Sequence, residues 1–274
     1  MQQTIPNINE ENAAIAFSKQ AVIFDEYDAG NTIIQYKRRR VRDIVMRGLA
    51  PNSSILELNA GTGEDSVYFA SQGHRVHATD LAPGMLAVLE KKVKGRGLTE
   101  RVSFERCSFT RLEELQQKGP YDLIFSNFAG LNCTDELDKV LLTFPYLLKP
   151  GGKAVLVILP PFCLWETALL FKGKFRTAFR RWFSGKGARS RVEGHYFKSW
   201  YYRPSYIRRA LKDSFVQTGL EGLCTIVPPS YIEYFAERHA ALYRFLQRRE
   251  ERLKRKWPWR NIGDYYIIEL QKKG

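Results

Sequence analysis

The run ILELNAGTGEDS, Ile55 to Ser66, sets one acid, Glu57, inside a short apolar stretch. Asn59, Ala60, Gly61, Thr62 and Gly63 follow, and then two more acids, Glu64 and Asp65. A glycine turn that leaves a strand and opens a helix commonly holds a phosphate, because free N–H groups and the helix dipole favour anions there. Three carboxylates around the turn argue against that use. The dinucleotide fingerprint G-x-G-x-x-G is also incomplete, since Ser66 stands where the third glycine belongs. The Gly-Lys-Ser/Thr ending of a Walker turn is absent.

A cationic nucleoside fits such a turn better. S-adenosylmethionine carries a sulfonium and an ammonium and no phosphate, so acids near its turn are tolerable or useful. Asp80, at the end of the next apolar run, can accept both ribose hydroxyls of an adenosine. Glu57 can attract the ammonium, directly or through water.

These residues need a scaffold, and the chain supplies the pattern for one. Residues 12–50 read as a largely helical N-terminal cap. Residues 53–160 then alternate: strands at 54–58, 75–80, 102–106, 122–126 and 154–159, with helices at 65–72, 83–94 and 135–144. Such alternation predicts a parallel sheet covered on both faces. Residues 162–206 read as an inserted lid. Residues 207–274 return to a helix at 207–214, a strand around 224–227, a basic helix at 231–256 and a final strand at 265–270, which close the sheet edge. The expectation is one α/β domain over 1–274: a Rossmann-like, doubly wound, mostly parallel seven-stranded sheet with a helical lid after strand five.

ILELNAGTGEDS, HRVHATDLAPGML, YDLIFSNFAG and LLKPGGKAVLVIL, in that order, resemble the class I S-adenosylmethionine-dependent methyltransferases. The likeness is to the small-molecule branch, which has an upstream FD-x-Y element, here Phe24 to Tyr27, and it covers about residues 20–160. The resemblance implies that Tyr27 belongs to the cofactor site. It implies that Glu57, Asn59, Ala60, Gly61 and Gly63 hold the methionine part, that Asp80 holds the ribose, and that Leu81 and Met85 sandwich the adenine. It places Ser108 and Phe109 beside the adenine amino group, and Asn127 and Phe128 at the reactive end. Two positions depart from the family pattern. Asn59 replaces the first glycine, a change that positive φ tolerates. Ser108 replaces the usual acid, so the adenine contact passes to its hydroxyl or to the backbone.

The chain has 274 residues and a net charge of +14, which favours anionic partners: nucleic acid, a membrane surface or an acidic substrate. SNFA at 126–129 lacks the proline pair of amino-directed nucleic-acid methyltransferases, and no cysteine stands in a cytosine-C5 nucleophile context. Nucleic acid is therefore the lesser reading, with RNA or protein methylation and a non-catalytic cofactor-binding scaffold kept as alternatives. The expected acceptor is a small, apolar or lipid-like metabolite. Its identity, the atom methylated, the use of a general base and the oligomeric state stay open.

Residues 172–212 hold 13 of the 43 Lys and Arg and a single acid, Glu193. Apolar residues at 164, 168, 171, 175, 179 and 182 predict one helical face, with Lys172, Lys174, Arg176, Arg180 and Arg181 on the others. Such a helix either packs as a lid or lies on an anionic membrane. Beyond it, HYFKSWYYRPSY can wall an apolar pocket. His195 is the candidate base, with Tyr201 and Tyr202 as alternatives. The four cysteines show no metal or disulfide spacing, and no metal is expected. The polar, acidic N-terminus does not read as a leader. No apolar run reaches the ~18 residues of a membrane span. The expected location is cytoplasmic, with peripheral membrane contact as an added reading.

Overall fold

The computed structural model describes residues 7–274. The start of the N-terminal stretch read above as no leader, residues 1–6, lies outside the described residues. Two helices come first, α1 (Ile8–Gly30) and α2 (Thr32–Arg47). They part at Asn31, whose side chain caps α2 by accepting the N–H groups of Ile33 and Ile34, each at 3.1 Å. The core follows as β1 (Ser54–Leu58), α3 (Glu64–Ser71), β2 (Arg75–Asp80), α4 (Pro83–Gly95), β3 (Val102–Arg106), β4 (Tyr121–Ser126), α5 (Leu137–Leu147) and β5 (Leu148–Ile158).

The inserted segment contains α6 (Leu164–Ala168), α7 (Phe175–Ala178) and a hairpin of β6 (Ala188–Val192) and β7 (His195–Ser199). The chain ends as α8 (Pro204–Ala210), β8 (Phe215–Leu223), α9 (Phe235–Arg238), α10 (Ala240–Leu253) and β9 (Tyr265–Lys272).

The main sheet has seven strands in the order β3-β2-β1-β4-β5-β9-β8. The first five run parallel, and β9 pairs antiparallel with both β5 and β8. Alternate residues along each strand feed opposite layers. Leu56, Leu58, Ile124, Leu156 and Ile268 pack under α5 and α8, whereas Ile55, Phe125, Val157 and Ile267 join Phe69, Leu89 and Val41 in the other layer. The chain winds outward from β1 in both directions, to β2 and β3 on one side and to β4 and β5 on the other. That reversal opens a crevice at the carboxyl ends of β1 and β4, the place where open α/β sheets hold ligands.

Helix α1 covers the crevice through small residues. Ala14 and Ala21 pack with Ala82 and Met85, and Ala13 and Ala16 with Cys133 and Phe197. The approach to α4 is close enough that a Cβ on Gly84 would lie 2.5 Å from the Ser18 carbonyl oxygen.

Four expectations are corrected. Residues 164–183 are not one amphipathic helix: Gly173 adopts φ +70, which ends the turn at 169–172 before α7 begins. Arg181, expected on a solvated or membrane-facing side, is buried and pairs with Glu166 and Asp264, at 2.8 Å each. The strand expected at 224–227 is displaced to Phe215–Leu223. The amides of 224–227 do not join the sheet but converge on the Glu250 carboxylate at 2.8–3.0 Å. The basic helix expected at 231–256 is split, with His239 (φ −129) between α9 and α10.

Candidate functional site

At the switch point lies a cavity of about 290 Å³. Its floor is the turn after β1, from Asn59 to Thr62, and its roof is α1 and α2. The turn is shaped by left-handed residues. Asn59 has φ +49, Gly61 +58 and Gly63 +78. Asn59 also spans the two central strands: its Nδ2 donates to the Asn127 carbonyl at 2.9 Å, and its Oδ1 accepts from Ser126 Oγ at 2.6 Å. A Cβ on Gly63 would lie 2.6 Å from Leu89, so that glycine serves packing. A Cβ on Gly61 would meet only Met85 Sδ at 4.0 Å, so that glycine keeps space clear beside the cavity.

Asp80 is fixed by backbone. Its Oδ2 accepts the Gly61 N–H and its Oδ1 the Ala82 N–H, both at 2.8 Å. Burial raises its pKa, while these amides and that of Leu81 oppose the rise. Glu57 is 2% exposed and accepts a hydrogen bond from Ser66 Oγ. Burial first, and then the charge of Asp65, push its carboxyl up to about 8. Asp65 goes the other way: burial opposes its ionisation, but Arg38, Arg42 and Asn127 outweigh burial and hold its pKa below the usual value.

Arg38 is the hub of the far wall. Its guanidinium bridges Asp28 of α1 and Asp65 of α3 and lies 4.8 Å from the Phe128 ring centre. Lys37 Nζ stands beside the rings of Phe128 and Tyr265, at 5.3 and 4.8 Å, and donates to Ser230 Oγ at 2.9 Å. The other end is apolar. Ala13, Ala14, Phe17, Leu81, Met85 and Phe109 form a slot there, with Glu10 alongside.

Residues 55–152 match the protein family described as a methyltransferase domain. This stretch is a methyltransferase domain. Over 143 residues the chain is 33% identical to a demethylmenaquinone methyltransferase of Clavibacter sepedonicus, a match that covers 50% of this chain and 56% of that protein. The match thus spans little more than half of the curated relative. Among solved structures, the 1,6-didemethyltoxoflavin-N1-methyltransferase of Burkholderia thailandensis, bound to its substrate and S-adenosylhomocysteine, superposes at TM-score 0.55 and 16% identity, covering 100% of this chain and 93% of that one. The [4+2]-cyclase SpnF superposes at TM-score 0.64 and 15% identity, with 99% of both chains covered. At these identities the likeness is one of fold, and a cyclase among the neighbours shows that the fold alone does not name the reaction.

The methyltransferase domain brings most of the residues named from the sequence to one cavity. Glu57, Asn59, Ala60, Gly61, Asp80, Leu81, Met85, Phe109, Asn127 and Phe128 line it. Gly63 lies behind the turn against Leu89. Tyr27 is 48% exposed and does not line the cavity; its neighbours Phe24 and Asp28 do. Ser108 is buried and caps the turn at 109–114, donating to Glu10 rather than lining the cavity. His195 opens β7 outside the cavity. The Tyr201 ring lies 5.3 Å from the Arg181 guanidinium, and the Tyr202 hydroxyl donates to the Thr134 carbonyl. Neither tyrosine lines the cavity. Among the described residues no cluster of metal-ligating side chains occurs.

The residues missed from sequence include those of the roof, Glu10, Asp28, Lys37 and Arg38, and from the chain's far end Ser230 and Tyr265. Lys37 and Arg38 sit in the run KRRR, which reads as a solvated basic cluster. The one available signal was the helical spacing that sets Ile34, Arg38 and Val41 on one face.

The fit to S-adenosylmethionine can be judged from the donor set. Asp80 offers a fixed carboxylate, Glu57 a buried one, and the Leu81–Met85–Phe109 slot an apolar bed for a flat ring. One oxygen of Glu10, Oε1, is buried beside that slot without a hydrogen-bond partner among the described residues. These features suit a cationic adenosine compound.

Proposed function

We propose that this chain transfers a methyl group from S-adenosylmethionine to a small, largely apolar acceptor with an O, N or C nucleophile. The observation that carries this reading is the pairing of Asp80 with the Gly61 amide in a crevice whose β1 turn is flanked by carboxylates, the cavity's cations Lys37 and Arg38 belonging to the roof helix α2. Asp80 would hold the ribose hydroxyls, and Glu57 the ammonium. When bound, the cofactor supplies an electrophilic methyl on its sulfonium.

The protein's part is to align the acceptor with that methyl and to exclude water, a contribution of orientation rather than of a dedicated base. Asn127 and Phe128, at the end of β4, stand between the cofactor turn and the Lys37–Tyr265 wall, where the acceptor would lie. Burial raises the Tyr265 phenol well above its ordinary range, which makes it a poor base at neutral pH. The name of the Clavibacter relative, a methyltransferase of a quinone precursor, supports an apolar ring as acceptor. On this reading 12–50 act as cap, 53–160 as cofactor core, 162–206 as lid and 207–274 as sheet closure.

The lid supports a second element of the proposal, peripheral contact with an anionic membrane. Phe171, Phe175, Trp182 and Phe183 are exposed, and exposed Lys172, Lys174 and Arg176 lie among them. Among the described residues no helix is long and apolar enough to cross a membrane.

Calorimetric titration with S-adenosylmethionine and, separately, NADH tests the cofactor. Micromolar binding of the first alone supports the reading, and release of S-adenosylhomocysteine with apolar hydroquinones would then identify the acceptor class. Binding of NADH alone refutes it. Co-sedimentation with phosphatidylglycerol vesicles, lost in the Phe171→Ser/Phe183→Ser variant, tests the membrane element.

A further inference from the structure

Ser108 occupies the position where the resemblance calls for an acid, and its hydroxyl does not line the cavity. The hydroxyl instead donates to Glu10, a residue of α1 nearly 100 positions earlier in the chain. Thr110 Oγ1 donates to the same oxygen, Oε2, at 3.0 Å. The Thr110 amide in turn donates to Ser108 Oγ at 3.2 Å, which fixes both hydroxyls. One oxygen of Glu10 is therefore held by two donors, and the carboxylate has one orientation.

The other oxygen, Oε1, is buried and makes no hydrogen bond among the described residues. Glu10 is only 3% exposed and forms no ion pair among the described residues. A buried carboxylate oxygen without a donor is costly, and native proteins rarely leave one so. Glu10 lies in the first turn of α1, and both of its hydroxyl partners are placed to donate to it.

Glu10 also lines the cavity at a definite place, with Ala13, Ala14, Phe17 and Phe109 of the apolar slot. Asp80 lies at the near end of that slot. Cys133, which packs with Ala13 one turn along α1 from Glu10, lines the same cavity. A flat ring entering past Asp80 would therefore run between Leu81, Met85 and Phe109, with a donor on its edge facing Glu10.

We infer that Glu10 is the acceptor for the exocyclic amino group of a 6-aminopurine, and that it selects adenosine over its 6-oxo counterpart. This rests on the cofactor reading above and deepens it: the acid that the strand-three position lacks is provided by the roof helix and held in place by Ser108 and Thr110. A 6-oxo purine would set a carbonyl oxygen against the carboxylate, two acceptors facing each other.

The test is calorimetric titration with S-adenosylhomocysteine and S-inosylhomocysteine, which differ at that one group. The native protein should bind the adenosyl compound about tenfold to a hundredfold more tightly, the range for one hydrogen bond to a charged group. Glu10→Gln, whose amide can present either an oxygen or an N–H₂, should reduce that ratio to about threefold or less. An unchanged ratio in Glu10→Gln overturns the inference and leaves the cofactor reading intact. Equal weakening of both compounds overturns it too, since that is the mark of a purely structural role. Binding of neither compound by the native protein overturns the cofactor reading itself. Should Glu10→Gln fail to melt cooperatively, Thr110→Val removes one of the two hydroxyls that hold the carboxylate. The same ratio is then measured, with narrowing expected and an unchanged ratio counting against.

Discussion

The carboxylate of Asp80 and the amide of Gly61 are joined at 2.8 Å, so the end of β2 and the turn after β1 form one rigid corner. The second Asp80 oxygen takes the Ala82 amide, also at 2.8 Å, and adds the start of α4 to that corner. A ligand hydroxyl approaching Asp80 meets an acid that has no freedom left to adjust.

Asp80→Ala should weaken S-adenosylmethionine binding about tenfold or more, roughly 1.4 kcal/mol. Asp80→Asn keeps one oxygen for an amide and should preserve more of the melting temperature than Asp80→Ala. Calorimetry and thermal melts on both variants check this. Native affinity in a folded Asp80→Ala protein would remove the ribose role.

The two turn glycines should separate function from packing. Gly63→Ala adopts a left-handed backbone, at about 1–2 kcal/mol, and drives a methyl to 2.6 Å from Leu89, at about 1–3 kcal/mol more. Gly61→Ala carries only the backbone term, because nothing but Met85 Sδ at 4.0 Å stands near its methyl. Urea unfolding should show the larger loss at Gly63, and titration the larger loss of affinity per unit of stability at Gly61.

Glu57 should make both stability and binding depend on pH. Its carboxyl is raised from 4.5 to about 8, so the folded state retains a proton that the unfolded chain gives up. The stabilising contribution is complete below about 4.5 and is lost as pH rises through about 8. Glu57→Gln should flatten that loss. A cation binds the ionised form, so affinity for S-adenosylmethionine should rise with pH towards about 8, with proton release visible as a buffer-dependent binding enthalpy. Affinity independent of pH would show that Glu57 does not meet the ammonium.

Arg38→Met should be severe. It strands buried Asp28 and takes from buried Asp65 one of its two arginine partners, and the loss of one partner from a buried ion network costs roughly 3–5 kcal/mol. Adding Asp28→Asn should recover part of that loss, which a double-mutant comparison in urea would measure. Strictly additive losses would mean that the two residues act independently.

What the sequence made legible was local. The β1 turn, Asp80 and the order of the first five strands rest on short-range patterns that a sequence displays directly. The roof was not legible, because a buried arginine in a basic run looks like a solvated one until Asp28 and Asp65 are seen to close on it. The eighth strand was hidden for a related reason. Phe215–Leu223 contains Gly219 and Gly222 and a register shift between Gln217 and Gly219, so its alternation is broken. The β-branched residues just beyond it, Thr225, Ile226 and Val227, look more like a strand, yet their amides are claimed by a side chain from another part of the chain. The lid failed as a single helix because six apolar residues in register did not outweigh one glycine at φ +70.

The Glu250 carboxylate that gathers those amides also takes Arg40 of α2 at 2.6 Å, across 210 positions of sequence. Helix α2 is made early by the ribosome, and Arg38 and Arg42 can close on Asp65 as soon as α3 exists, but its fastening through Arg40 arrives only when α10 has been synthesised. The ceiling is thus tied at two points made far apart in time, so the last tie on the cavity comes late in translation even though most of its lining is made early.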